Sequence, residues 1–279
     1  MTVFNAYNET KKALKAAGIE PYAFEARQIL RHVTGLTNSE IINRYYTELS
    51  DLEASYLEVV VNRRVGREPL QYILGEWSFY GLDFSVGEGV LVPRADTETL
   101  VDTALEFLEG KTEAEVLDLC SGSGCIAVAI AKNSDAVVDA VEKYDAAYGY
   151  LEKNIEKNNA RVNPVKADIF GFNPSKKYDI IVSNPPYVSA AEMEILDAET
   201  MMEPDTALYG GEDGLLFYRA IAQRYKKYIK EGGMLAFEVG FNQALEVSEI
   251  LREAGLHNVE TKEDINAVQR VVFGTVKTI

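Results

Sequence analysis

Short apolar runs alternate with stretches of helical periodicity from residue 96 to the end of the chain. The pattern predicts strands at 115–119, 136–142, 162–167, 178–183 and 233–239, and helices at 96–109, 124–133, 145–158, 214–230 and 242–254. Such alternation is typical of a doubly wound, mostly parallel sheet. Two late strands, near 257–262 and 268–276, have no helix between them, so one should run antiparallel. The predicted fold class is α/β, with a Rossmann-like sheet and an antiparallel last strand.

The first 75 residues have a different pattern. Apolar side chains recur there at a spacing of three to four residues, which predicts a small bundle of helices with Asn38 and Ser50 as N-caps. Residues 76–92 then alternate aromatic with small or polar side chains around Gly81, which is typical of a β-hairpin. The predicted organisation is a helical domain at 1–75, a hairpin linker at 76–95 and an α/β domain at 96–279.

Charge and hydropathy narrow the possible partners. The 279 residues carry a net charge of −16, whereas proteins that bind phosphate backbones usually present basic patches, so we expect no direct nucleic-acid substrate. No apolar run approaches the roughly 20 residues of a membrane span. The N-terminus also lacks the basic segment and apolar core of a signal peptide. We therefore expect a protein with no membrane partner.

The sequence offers neither a metal site nor a base for hydrolysis. Cys120 and Cys125 are the only cysteines, and without nearby histidines they do not make a zinc site. A disulfide between them is not expected in a reducing cytosol. His32 and His257 lie far in sequence from every motif, which leaves Ser–His and Cys–His chemistry without a base.

A strand, a turn of small residues and a helix follow one another at 116–130. Gly122 and Gly124 would let the backbone approach a ligand closely, and the helix N-terminus would supply free N–H groups. The turn lacks the third glycine of nicotinamide-binding motifs, so it suits the methionine part of S-adenosylmethionine better than a pyrophosphate. Asp118 either holds an ammonium group or an ordered water, or caps the strand. The predicted cofactor-binding residues here are Asp118, Cys120, Ser121, Gly122, Ser123 and Gly124.

Two further predicted strands end in acidic residues. Glu142 lies 18 residues after Gly124 and could bind both ribose hydroxyls, as acidic residues do in dinucleotide sites. Asp168 could accept a hydrogen bond from an adenine amino group, while Ile169 or Phe170 covers the ring. The alternatives are a solvated loop residue at Glu142 and a simple turn at Asp168. Ligands bind at the carboxyl ends of strands in open α/β sheets, and all these residues lie there.

The tetrapeptide Asn184-Pro185-Pro186-Tyr187 follows the apolar strand at 178–183. The prolines stiffen the turn, and Pro185 keeps Asn184 out of the α region. Asn184 Oδ1 and the Pro185 carbonyl could then bind a planar amino group, with Tyr187 packed on its flat face. This predicts a substrate site at 184–187, with Asn184 and Pro185 as its catalytic residues and with Asn184 also among the cofactor-binding residues. A merely rigid loop is the alternative.

These motifs together resemble the bacterial-type protein glutamine N5-methyltransferases that modify the Gly-Gly-Gln motif of peptide chain release factors. The similarity runs nearly end to end and is carried by residues 67–75, 89–98, 118–124, 184–187, 203–214, 218–219 and 238–240. It implies a class I S-adenosylmethionine-dependent methyltransferase fold, with an N-terminal helical domain that helps to hold the release factor. The implied cofactor is S-adenosylmethionine, the implied protein partner is a release factor, and the implied location is the cytoplasm.

The chain departs from this family at several positions. Cys120 stands where glycine is usual, and it would be strained if the position requires a positive φ. Ala95-Asp96 stands where Pro-Glu is usual, and residues 266–270 replace a Gly-Arg-x-Arg-type run. None of these changes lies in the predicted amide receptor.

Two other functions fit parts of the pattern. An adenine-N6 or guanine-N2 nucleic-acid methyltransferase could use the same tetrapeptide to bind an exocyclic amine, and it would have to flip the base out of a duplex. The net charge of −16 and the N-terminal similarity disfavour that function. A scaffold that binds the cofactor without chemistry is the second alternative, and the retained tetrapeptide disfavours it.

Overall fold

The computed structural model describes residues 1–278, which form two compact units. The first unit contains residues 1–75 together with the short segment 198–202. The second contains residues 76–197 and the chain from 203 onward, so the hairpin predicted as a linker lies within it. Within residues 1–278, no helix combines the length and the apolar character needed to cross a bilayer.

The first unit is helical, as the spacing of its apolar residues predicts. Its helices in residues 1–75 are α1 (Val3–Ala16), α2 (Tyr22–Thr34), α3 (Asn38–Asn43), α4 (Asp51–Val65) and α5 (Leu70–Leu74). Ser50 caps α4 as predicted, and Glu53 completes a capping box with it. The prediction for α3 was one residue late, because Thr37 is the N-cap and forms a capping box with Glu40.

A buried arginine ties the parts of the first unit together. The Arg64 side chain on α4 is 1% exposed, and its Nε and Nη2 donate to the two carboxylate oxygens of Glu25 on α2 at 2.6 and 3.0 Å. Arg64 Nη2 also donates to Glu199 Oε1 at 2.7 Å. This contact holds the segment 198–202 against α4, and nothing in the local sequence around Glu199 predicts it.

The second unit carries the strands. Its helices in the described residues are α6 (Glu98–Leu108), α7 (Cys125–Asn133), α8 (Asp145–Asn158), α9 (Ala190–Met193), α10 (Asp205–Leu208), α11 (Leu216–Tyr225) and α12 (Ala244–Glu253). Its strands are β1 (Glu76–Phe79), β2 (Leu82–Ser85), β3 (Glu115–Leu119), β4 (Val137–Glu142), β5 (Val162–Lys166), β6 (Tyr178–Ser183), β7 (Ile229–Glu238), β8 (His257–Glu263) and β9 (Gln269–Thr275). The hairpin of β1 and β2 is shorter than predicted and ends at Ser85.

In the described chain, β3 to β9 form one sheet in the order β5-β4-β3-β6-β7-β9-β8. Strands β3 to β7 are mutually parallel, and β9 runs antiparallel to both β7 and β8. The predicted doubly wound α/β fold with an antiparallel last strand is therefore confirmed. Strand β7 begins at Ile229, earlier than predicted, because Ile229 pairs with Tyr178 before a register shift at Ile180. Pro164 lies in the edge strand β5, where a missing N–H costs least.

Both faces of this sheet are covered by helices. Alternate residues of a strand point to opposite faces, and Val116 and Leu117 accordingly belong to different hydrophobic clusters. The cluster around Val116 includes Leu100 of α6 and Ile126 of α7. The cluster around Leu117 includes Tyr218 of α11. This double burial holds the strand ends, and thus the loops that follow them, in fixed places.

Replacing Arg64 with Met should destabilise the first unit by about 3–5 kcal/mol, because the buried Glu25 carboxylate loses its cation. Urea unfolding followed by far-UV circular dichroism would measure the change, while fluorescence of the single tryptophan, Trp77, reports on the second unit. Arg63→Met is the matched control. Arg63 pairs with Glu68 while 39% exposed, and this change should cost no more than about 1 kcal/mol. Equal effects of the two substitutions would contradict the importance of the buried pair.

Candidate active site

The carboxyl ends of three neighbouring strands bring the predicted site residues together. Leu119 at the end of β3 pairs with Val141 of β4 on one side and with Ser183 of β6 on the other. The Ser183 hydroxyl donates to the Leu119 carbonyl at 2.6 Å and is fully buried. The loops at 120–124, 142–144 and 184–187 therefore leave the sheet side by side.

The loop after β3 turns sharply into α7. The Ser121 N–H donates to the Val141 carbonyl at 3.0 Å, and Gly124 caps α7 with φ 80°. A Cβ at Gly124 would come within 2.5 Å of Leu151 Cδ1 on α8, so only glycine lets this turn pack so closely. The close packing of this turn on α8 fixes the place where α7 begins, at Cys125.

Cys120 has φ 61°, the positive value that the comparison with a usual glycine anticipates. A non-glycine residue in this region carries a backbone strain of about 1–2 kcal/mol. Burial, together with the neighbouring charge of Glu142, raises the pKa of the Cys120 thiol, and burial raises that of Cys125 to about 12. Both thiols are therefore protonated near neutral pH, and neither serves as a nucleophile.

Glu142 is buried, with 6% of its surface exposed, rather than a solvated loop residue. Its Oε1 accepts from the N–H groups of Lys143 and Tyr144 at 2.7 and 2.8 Å, and its Oε2 accepts from Gly122 at 2.9 Å. Burial raises the pKa of Glu142, and the three hydrogen bonds lower it by less, so the pKa lies above its usual value. A carboxylate has about four acceptor positions, so three are occupied and bidentate binding of two ribose hydroxyls would require Gly122 to move.

The loop after β5 forms an apolar and acidic wall. Asp168 Oδ1 accepts from the Phe170 N–H at 2.9 Å, and Oδ2 pairs with Lys143 Nζ at 2.9 Å. Burial alone would raise the pKa of Asp168, but the hydrogen bonds from Lys143 and Phe170 lower it. Ile169 is buried, and the ring of Phe170 lies 5.4 Å from that of Phe217. Phe217 comes from α11 and was not predicted.

A cavity of about 970 Å³, which includes space open to solvent, lies over these strand ends. The predicted residues that line it are Cys120, Ser121, Gly122, Ser123, Glu142, Asp168, Ile169, Phe170, Asn184 and Pro186. Sequence reasoning missed the segment 89–94, Thr97 and Phe217. These residues approach the cavity through tertiary contacts and carry no motif that marks them as binding residues.

Four of the predicted site residues, Asp118, Gly124, Pro185 and Tyr187, are not among the residues that line the cavity, and their contacts with a ligand stay predictions. Asp118 is fully buried, and neither carboxylate oxygen has a hydrogen-bond partner among the described residues. Burial raises the pKa of Asp118 to about 7. The folded protein therefore holds the Asp118 proton more tightly than an exposed carboxyl group would.

Glycines outside the tetrapeptide hold the 184–187 loop in place. A Cβ at Gly210 would lie 2.7 Å from the Pro186 carbonyl oxygen, so the 203–214 segment packs directly on the loop backbone. Gln243 Nε2 donates to the Tyr187 carbonyl at 3.0 Å. The Tyr187 ring lies beside Gly240 and packs on the core, which keeps it out of the cavity.

Asn184 lies at the cavity wall, and the NH2 group of its side-chain amide is hydrogen-bonded to a buried residue. Its Nδ2 donates to Thr97 Oγ1 at 3.4 Å, and Thr97 is 1% exposed. Within the described residues, no hydrogen bond goes to Asn184 Oδ1. The acceptor end of this amide is therefore open to a donor that enters the cavity.

A buried carboxylate shapes the opposite wall of the cavity. Glu203 is 4% exposed, accepts from the Val92 N–H at 2.9 Å and forms an ion pair with Arg94. Both partners belong to the 89–94 segment that lines the cavity. The pairing joins two of the segments that carry the sequence resemblance, 89–98 and 203–214.

Two family models match the chain: the PrmC N-terminal domain matches residues 5–75, and the methyltransferase small domain matches residues 95–232. A release factor glutamine methyltransferase of Geobacter sulfurreducens is 38% identical over 277 residues, which cover 99% of this chain and 97% of the relative. One from Fusobacterium nucleatum is 37% identical over 96% of this chain and 77% of its own length. A methyltransferase structure from Pyrococcus furiosus, 19% identical, superposes with a TM-score of 0.54 over 81% of this chain and 99% of its own.

Replacing Asp118 with Asn should change how stability depends on pH. The folded protein holds the Asp118 proton more tightly than the unfolded chain does, so this group lowers stability as pH rises from about 4 to about 7. Relative to wild type, the free energy of unfolding of Asp118→Asn should rise by about 2–3 kcal/mol between pH 5 and pH 8. Trp77 fluorescence in urea measures it. Asp83→Asn, at an exposed position, is the control, and identical pH profiles for wild type and Asp118→Asn would show that the carboxyl group is paired.

Proposed function

Because the chain belongs to the release factor glutamine methyltransferase family, we propose that it methylates the side-chain amide nitrogen of the glutamine in the Gly-Gly-Gln motif of peptide chain release factors, with S-adenosylmethionine as donor. The observation that carries this proposal is Asn184. Its amide is fixed at the cavity wall with Oδ1 free to accept a hydrogen bond from an incoming NH2 group. A glutamine amide offers such a group.

The residues around the cavity fit S-adenosylmethionine. In this proposal the loop at 120–124 and the N-terminus of α7 would bind the methionine part, and Glu142, which also lines the cavity, would bind the ribose. Phe170 and Phe217 offer apolar faces for the adenine ring, next to the Asp168 carboxylate. When bound, the cofactor supplies an electrophilic methyl group on a sulfonium sulfur.

The protein contributes position rather than a strong base. The lone pair of an amide nitrogen is delocalised, so the amide is a poor nucleophile unless it is held in line with the methyl group. Acceptance of the NH2 hydrogens by Asn184 Oδ1 and the Pro185 carbonyl would orient the nitrogen. The same acceptors stabilise the positive charge that grows on nitrogen in the transition state. The extra proton can leave to water after transfer.

The first unit is proposed to dock the release factor. Exposed apolar side chains cluster in sequence from α3 to the first turn of α4, where Ile42 is 60%, Tyr46 90% and Leu52 80% exposed. Apolar surface of this kind favours protein contacts. The net charge of −16 further favours basic residues on the partner. Because release factors act on ribosomes, this substrate also places the proposed reaction in the cytoplasm.

The direct test is incubation with methyl-labelled S-adenosylmethionine and a purified release factor, followed by mass spectrometry of the peptide that contains Gly-Gly-Gln. One methyl group on the glutamine side chain supports the proposal. Methylation of total RNA or DNA, with the release factor left unmodified, would replace it with the nucleic-acid function.

Substitutions at Asn184 and Glu142 should affect different quantities, turnover for Asn184 and cofactor affinity for Glu142. Asn184→Ala should lower turnover by about 100- to 1,000-fold, as loss of a positioned transition-state hydrogen bond does, with cofactor affinity within a few-fold of wild type. Glu142→Ala should weaken cofactor binding at least about tenfold, because a charge-assisted hydrogen bond contributes about 1.5–3 kcal/mol. Calorimetry and steady-state kinetics separate the two. Near-normal turnover in Asn184→Ala would refute the amide receptor.

The docking role makes a separate prediction. A triple variant with Ser at Ile42, Tyr46 and Leu52 should lose at least about tenfold in kcat/KM for the intact release factor, because remote contacts position the reacting group. Methylation of a short Gly-Gly-Gln peptide, which is too small to reach those side chains, should not change and serves as the internal control. Equal kcat/KM of variant and wild type on the intact factor would exclude this surface from docking.

A further inference from the structure

A buried carboxylate lies directly behind the candidate catalytic amide. Ser183 of β6 pairs with Phe237 of β7, so Asn184 and Glu238 are the next residues along two adjacent parallel strands. Glu238 is 2% exposed and does not line the cavity. It therefore meets the site through Asn184 and not through a bound ligand.

Glu238 shares its partners with Asn184. The neighbouring side chains of Thr97 and Asn184 both favour the charged form of the Glu238 carboxyl and so lower its pKa against the larger effect of burial. Asn184 Nδ2 also donates to Thr97 Oγ1 at 3.4 Å. Glu238 Oε2 has no hydrogen-bond partner among the described residues. The NH2 group of Asn184 is thus directed toward a carboxylate that has unfilled acceptor capacity.

We propose that Glu238 is a positioning residue that fixes the direction of the Asn184 amide, with NH2 toward the protein and Oδ1 toward the cavity. The amide has two ends of similar size and opposite hydrogen-bonding character. If it were turned over, Oδ1 would face the Glu238 carboxylate and two acceptors would oppose each other. The cavity would then present a donor to the substrate NH2 group, which is itself a donor. This inference rests on the proposed function, and it names what makes the site selective for an amino group.

The charged groups around Glu238 do not take the place of Asn184. Arg270 on β9 favours the carboxylate, but it is already paired with Asp96 at 3.1 Å and with Asp264 at 3.3 Å. Asp96 disfavours the charged form, and burial is the largest effect, so the pKa of Glu238 rises to about 7. The other titratable groups that interact with this charge are Tyr187, Tyr218 and Cys125. Each of them is protonated near neutral pH.

Glu238→Gln tests the proposal with little change in shape. We expect kcat on the release factor to fall at least tenfold, with KM for the release factor and Kd for S-adenosylmethionine within twofold of wild type. In the Asn184→Ala background the same substitution should change kcat less than twofold, because Glu238 would then have nothing to position. Asp264→Asn is the matched control. It removes a buried carboxylate from the same arginine without contact to Asn184, and kcat should stay within twofold.

A second measurement needs no turnover. The side-chain NH2 signal of Asn184, assigned by its loss in Asn184→Ala, should shift between pH 5.5 and 8.5 in ¹H–¹⁵N spectra of the free protein. The shift should disappear in Glu238→Gln and persist in Asp264→Asn. A pH-independent Asn184 signal in wild type, or equal losses of kcat from Glu238→Gln with and without Asn184, would overturn the positioning role. If the signal behaves as expected while no release factor is methylated, the proposed function fails and the Glu238–Asn184 coupling stands.

Discussion

The parallel register of β3 with its two neighbours is the constraint on which the site depends. Leu119 pairs with Val141 and with Ser183, and the buried Ser183 hydroxyl locks the second pairing at 2.6 Å. A shift by one residue would turn every side chain of a strand to the opposite face, and the two hydrophobic clusters would lose their members. The core therefore fixes the register, and the register places three loops beside one cavity.

Much of this arrangement could be read from the sequence because it follows from local periodicity. Parallel strands buried on both faces are continuous apolar runs, and the residues that follow them must meet at one edge. The residues that sequence reasoning missed depend on long-range contacts. Glu203 reaches the backbone of Val92 across 111 positions, and Gln243 supports Tyr187 across 56. The burial of Asp118 could not be predicted either, because a position at a strand end does not reveal whether the side chain points to the cavity or to the protein interior.

Carboxylates and cations occur together in the cavity wall. Glu142 and Asp168 line it, and so do Arg94 and Lys143. Lys143 forms an ion pair with Asp168, and Arg94 forms one with the buried Glu203. Glu142 is held in a different way, because its two oxygens accept hydrogen bonds from three backbone N–H groups.

One ion pair of the first unit needs a residue that is synthesised long after most of that unit. Arg64 and Glu199 are separated by 135 positions, and all the residues of β1 to β6 lie between them. At the roughly 5–20 residues per second of protein synthesis, Glu199 is added on the order of 7–27 s after Arg64. Until then the nascent helices have Glu25 but not Glu199 to compensate the arginine. The unit that begins the chain is thus completed only after the central strands of the second unit have been made.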